Sequence, residues 1–246
     1  MIQSLPSPIV DVESPEKEWE EMPIPDISNL ITEDDTPVDN LISEKQQRLL
    51  TNSLYSSLVR DFPFLATANV GLFYGAKRSP LVPDTLLSFR VSIPQDWSQK
   101  HNRSYFLWNF GKPPEVAVEI VSNKVGNELG SKLTDYADAG VAYYVVFDPL
   151  LCLGEKPLYV YELRATQYYL LDDYFMPNID LGLTLWEGKF EDKEYTWLRW
   201  CDRLGNILLT GDEKAEHERQ RAEQERQRAE KLADFLRSQG INPNEI

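Results

Sequence analysis

The chain has 246 residues, an apolar fraction of 42% and a formal net charge of −15, from 25 basic and 40 acidic side chains. Such a length buries one sizeable core with appendages. Cys152 and Cys201 are the only cysteines, which excludes a disulfide framework and a multi-cysteine metal site and fits thiols kept reduced. The longest apolar run, Val141 to Phe147, is far short of the about 18 residues a membrane span needs. Met1 to Val10 also lacks the basic start and apolar run of a secretory signal. The expectation is a cytoplasmic protein with no membrane partner.

An acidic chain argues against phosphate-rich partners, but the charge is unevenly spread. Residues 1–45 carry 12 acids and 2 bases, residues 46–210 carry 19 and 16, and residues 211–246 carry 9 and 7. The body is therefore close to neutral.

Residues 1–40 hold six prolines and acidic clusters such as Glu16-Lys-Glu-Trp-Glu-Glu21. Such a composition cannot bury enough apolar surface to offset its ordering entropy, so it reads as a flexible acidic arm. The spacing of Leu50, Leu54 and Leu58 predicts an amphipathic helix from about Leu41 to Asp61, closed before Pro63. Phe64 to Gly75 is strand-rich, and after the turn at Pro83-Asp84 a strand runs from Thr85 to Ile93. Pro94 to Pro114, polar and aromatic, reads as a long hairpin connection. Val116, Val118, Ile120 and Val121 then mark a strand covered on both faces. A helix over Asn127 to Ala139, stopped by Gly140, leads to a second buried strand, Val141 to Asp148. Strand, helix, strand in so short a span implies a parallel pair. Pro157 to Leu163 and Gln167 to Leu171 are antiparallel additions, and Leu181 to Trp186 with Tyr195 to Trp200 would extend the sheet or cover its edge. The tail, 211–246, repeats every seven residues from Ala215, Ala222 and Ala229. With alanine and glutamate at its seam positions it reads as a solvated helix or coiled coil, with an apolar end at Leu232, Phe235 and Leu236 that docks.

Glu119 is the one carboxylate inside the central apolar strand, and a buried charge needs a partner. Asp84 opens an upstream strand and Lys132 lies in the first half of the following helix. Two carboxylates and a lysine converging at a sheet edge can hold a divalent metal and orient a water, the equipment for metal-assisted phosphodiester hydrolysis. Each residue has a plainer reading: Pro-Asp is common turn chemistry, a strand glutamate can be a structural ion pair, and a helix lysine is usually solvated. Their order along the chain raises all three together. A glycosidase built on Asp84 and Glu119 has no other support. Glu44 and Glu128 are further acids near helix starts, where they favour the dipole, and Glu128 could reach a second metal; Ser122 caps the loop after the central strand, and His101 and His217 are isolated.

The run Pro83-Asp84, Glu119-Ile-Val-Ser122, Lys132 with Tyr136, and Tyr144-Val-Val-Phe-Asp-Pro149 resembles the Uma-two family of restriction-endonuclease-like proteins, within the PD-(D/E)xK nuclease superfamily. The resemblance covers residues 41–210, and the heptad tail looks like that of the cyanobacterial branch. It implies a mixed α/β (α+β) restriction endonuclease-like core, a mixed central sheet flanked by helices, with a C-terminal helical tail. It further implies Mg²⁺, or Mn²⁺ in its place, held by Asp84, Glu119 and the backbone carbonyl of Ile120. DNA would be the partner and a homodimer is compatible. The superfamily lysine two residues after the glutamate is here Val121, so the resemblance implies Lys132 as supplier, with Lys124 as rival. The class alternative is a catalytically inactive nuclease fold used for binding or assembly. A DNA cleft would draw its positive charge from Lys77, Arg78, Lys100, Arg103, Lys112, Lys124 and Lys132, and the acidic arm could lie over it as a phosphate mimic.

Overall fold

The computed structural model describes residues 40–122, 127–240 and 242. The acidic arm up to residue 39 and Lys124 fall outside them. Helix α1 (Leu41–Ser57) starts where the Asn40 side chain accepts from the Ile42 and Ser43 amides, satisfying two of the donors a helix start leaves free. Strands β1 (Phe64–Thr67), β2 (Leu72–Phe73) and β3 (Thr85–Phe89) follow, then β4 (Tyr105–Phe106) and the single-turn helix α2 (Leu107–Phe110). Strand β5 (Val116–Ile120), helix α3 (Ser131–Asp138) and β6 (Tyr143–Phe147) form the centre. Strands β7 (Leu158–Arg164), β8 (Gln167–Leu170), β9 (Phe175–Met176), β10 (Leu181–Phe190) and β11 (Lys193–Cys201) precede the long helix α4 (Gly211–Ser238).

Six strands form one sheet in the order β1-β3-β5-β6-β7-β8. Only β5 and β6 pair in parallel, across α3, and the other neighbours are antiparallel. This is the expected mixed sheet. Odd and even residues of β5 go to different layers, as strand geometry requires. Val116, Val118 and Ile120 join Leu50 and Leu54 of α1 and Leu183, Leu198 and Trp200 of the β10/β11 hairpin in one core. Ala117 and Val121 join Tyr136 of α3, Tyr144 and Val146 in the other. Glu119 shares the parity of the second group, so the alternation aims it at α3.

Three segments differ from expectation. The α3 helix begins at Ser131 instead of Asn127, because Asn127 takes a left-handed φ of 56° and the Gly130 amide closes a turn onto the Asn127 carbonyl. Glu128 therefore sits on a turn. The Pro94 to Pro114 connection does join antiparallel strands, but it carries structure of its own: β4 pairs in parallel with β2, and the rings of Phe73 and Phe106, and of Tyr105 and Phe110, stack at 4.5 and 4.2 Å. Strands β10 and β11 neither extend the main sheet nor cover its edge; with β9 they make a separate antiparallel sheet packed with α1 over one face. Gln46, fully buried on α1, locks the two together by donating to the Leu198 carbonyl and accepting the Leu198 amide, at 2.8 and 2.9 Å.

Helix α4 is anchored at its first turn by a capping box between Thr210 and Glu213. The buried Arg199 donates to both Glu213 oxygens. Beyond that turn no residue of α4 is buried, and Leu232 and Phe235 stay exposed. The docking expected of the apolar end is thus absent among the described residues. No helix among these residues is long and apolar enough to cross a membrane.

Burial raises the phenol pKa of Tyr105, Tyr136, Tyr143, Tyr144, Tyr161, Tyr168 and Tyr195 above the ordinary value, Tyr105 to about 12. A phenol that holds its proton longer when folded stabilises the fold fully below its unfolded pKa of about 10, and that contribution is lost as pH rises through the folded value. In a phenolate absorbance titration, Tyr105, Tyr136, Tyr143 and Tyr144, the four that are fully buried, are expected to ionise only as circular dichroism reports unfolding. A single reversible step for all twelve tyrosines, with the fold intact, would contradict this burial.

Candidate active site

The site is built where β3 and β5 stop pairing. Thr85 lies opposite Val118, and continuing that register by one residue sets Asp84 opposite Glu119, where facing side chains share one side of the sheet. Pro83 has no amide to continue the ladder. The Ile120 amide instead donates to Asp84 Oδ2 at 2.6 Å, and Gln47 of α1 donates through Nε2 to Asp84 Oδ1 at 2.8 Å. Gln47 is in turn held by Asn69, whose Nδ2 donates to it at 3.1 Å. A strand end, a helix and a loop thus fix one carboxylate.

Glu119 is only 5% exposed. Lys132 Nζ donates to its Oε2 at 2.9 Å and the Tyr136 hydroxyl to its Oε1 at 2.6 Å. Lys132 and Tyr136 are one turn apart on α3, so one helix face satisfies both oxygens. Burial raises the Glu119 carboxyl above the usual carboxylate value, opposed by the Lys132 charge and the Tyr136 hydrogen bond. Lys132 also donates to Glu128 Oε1 at 3.3 Å. Burial lowers the lysine pKa, but the two carboxylates outweigh it and raise the ammonium above its ordinary value. Tyr144 completes the wall, donating to the Glu128 carbonyl at 3.1 Å and stacking on Tyr136 at 4.7 Å.

The donors suit a hard divalent cation. Asp84, Glu119 and the Ile120 carbonyl offer only oxygen, the set that Mg²⁺ takes while retaining waters. Glu128 adds a buried Oε2 with no hydrogen-bond partner among the described residues, and an orphaned anionic oxygen belongs beside a cation or a water. No three Asp, Glu, His or Cys side chains among the described residues form a ready cage, so a cation here would be met by two carboxylates and a carbonyl.

Asp84, Glu119 and Lys132 are thus brought together. Glu44 pairs with Arg48 on the exposed side of α1, and it lines a cavity with Ile120, Val121 and Ser122 at the same strand end. Several cations expected to line a cleft are already engaged, Arg78 with Asp138 and Lys112 with Glu115. Gln47, Asn69 and Tyr144 were not legible as site residues, whereas Glu128 was a candidate from the sequence. Gln47 had a signal, a buried polar residue on the apolar stripe of α1, and Glu128 had its spacing of four from Lys132.

The fold is a mixed α/β sheet flanked by helices, with an acidic pair at a strand end and a lysine from the crossover helix. The chain belongs to the Uma2 family, described as "Putative restriction endonuclease", whose model matches residues 31–185. No curated protein matches it. A solved structure of a "putative nuclease belonging to DUF820" from Anabaena variabilis ATCC 29413 is 16% identical, with 57% of this chain and 72% of that chain covered at a TM-score of 0.41.

Proposed function

We propose that the protein is a divalent-metal-dependent endonuclease that hydrolyses DNA phosphodiester bonds at Asp84, Glu119 and Lys132. The observation that carries this reading is the buried Glu119 carboxylate, set beside Asp84 and held by a lysine and a tyrosine of one helix. Asp84, Glu119 and the Ile120 carbonyl would hold Mg²⁺ or Mn²⁺. When bound, the ion supplies a Lewis acid for phosphate oxygens and makes its water more acidic. Lys132, kept protonated by its two acids, would donate to the attacking water or to the charge developing on the phosphoryl oxygens. Gln47 and Tyr136 are positioning residues, for Asp84 and Glu119 respectively. Two copies of the chain would cut two strands, and the free thiols of Cys152 and Cys201 suit the cytoplasm.

Supercoiled plasmid incubated with Mg²⁺ or Mn²⁺ tests the reading. Nicking is expected from wild type, none in EDTA, and a loss of at least about 100-fold in Asp84→Asn. Equal cleavage by wild type and the variant would remove the proposed site. Nucleic-acid binding without cleavage by wild type would leave a binding module.

A further inference from the structure

A second cavity, of about 430 Å³, lies apart from the acidic cluster, between the end of β1 and the connection from β3 to β5. Its size is that of a small-ligand pocket, which runs about 300–1,000 Å³. Val70 and the stacked pair of Tyr105 and Phe110 line it, and Trp97 stands at its rim, 65% exposed. An indole that open to water is an unusual place for a large apolar ring. The Trp97 loop is nevertheless pinned: Arg103 donates from Nε to the Trp97 carbonyl at 3.0 Å and from Nη2 to the Ser98 carbonyl at 2.9 Å. Asn102 donates to the Asp96 carbonyl at 2.7 Å. The Tyr105 hydroxyl is tied to Ser88 and to the Lys112 carbonyl, so the aromatic wall is rigid as well.

Two observations identify the kind of ligand. Ser104 lines the cavity at only 6% exposure, so its hydroxyl can donate to or accept from a group seated there. Between Pro94 and Ser104 the bases Lys100 and Arg103 outnumber the single acid Asp96, in a chain of net −15. A flat aromatic surface, the polar side chains of Thr67, Asn102 and Ser104, and the Arg103 guanidinium in the lining match a nucleobase on a phosphodiester strand, the combination by which proteins hold single strands. The cavity also shares a segment with the acidic cluster. Thr67 and Val70 line it, and Asn69 between them holds the Gln47 that holds Asp84.

We propose that this pocket takes one unpaired base of a DNA strand, stacked on Trp97 and bonded to Ser104. The choice of DNA as the polymer rests on the nuclease reading; the pocket itself does not depend on cleavage. A base that is stacked and paired in a duplex cannot enter, so the substrates favoured are single-stranded, mismatched or everted.

The test is fluorescence anisotropy of a short labelled oligothymidylate and of a matched duplex, at low salt in EDTA, with thermal melts to establish that each variant is folded. Trp97→Ala should weaken single-strand binding about tenfold with the salt dependence unchanged. Trp97→Phe should restore most of it, and duplex binding should not respond. Ser104→Ala gives a second reading, a smaller loss on the single strand alone. Equal affinities in wild type and Trp97→Ala, equal losses on single strand and duplex, or no single-strand binding by wild type would each overturn the pocket. Plasmid cleavage is scored separately. Cleavage with Trp97-independent binding defeats the pocket only, and Trp97-dependent binding without cleavage defeats the nuclease reading only.

Discussion

Glu119→Gln is expected to reduce metal-dependent DNA cleavage at least about 100-fold while leaving the protein folded. Glutamine keeps the volume of the buried side chain, and its carbonyl oxygen can still accept from Lys132 or from Tyr136, which donate to the two oxygens of Glu119. What it removes is the negative charge, which burial already disfavours. Stability should therefore change by no more than about 1–2 kcal/mol in either direction, measured by chemical denaturation. Activity and stability thus part company at this residue. A variant that cleaves like wild type would assign Glu119 to structure alone, as a buried ion pair of the ordinary kind.

Lys132→Met should show the converse. The ammonium lies between Glu119 and Glu128, whose side chains are 6% and 8% exposed. Removing it leaves two buried acids without their cation. Breaking such a pair costs about 3–5 kcal/mol when both partners are buried; with Lys132 itself 30% exposed, about 2–4 kcal/mol is expected. The sign of the pH dependence follows from the raised Glu119 carboxyl. A carboxyl raised in the fold favours folding when protonated, fully so below its unfolded pKa, and that contribution is lost as pH rises through the folded value. Without Lys132 the folded value rises further, so the defect should be largest at neutral pH and shrink towards pH about 4 to 5. Denaturation midpoints across that range, compared with wild type, measure it. A defect of constant size would mean that the lost lysine stem, and not its charge, had been supporting the fold.

The sequence by itself determined the local elements and the partners of Glu119. A carboxylate in an apolar strand must be compensated, and a lysine one helical turn before a tyrosine on the next helix presents both to the same side. The parallel pair β5/β6 followed from the short strand, helix, strand succession, since the chain has few ways to return. The tertiary structure alone decided the rest. Gln47 reached Asp84 only because α1 packs beside the β3/β5 strand end, a contact set by burial across 37 residues of chain and leaving no period in the sequence. Glu128 was within reach of Lys132 by its spacing of four, but that it reaches the lysine from a turn before the helix was decided by the left-handed Asn127. The β10/β11 hairpin formed its own sheet because Leu183, Leu198 and Trp200 gain more by covering the face beside α1 than by lengthening an edge, and strand alternation is the same in both arrangements. Local rules fix which residues point together along one element; only packing fixes which elements meet.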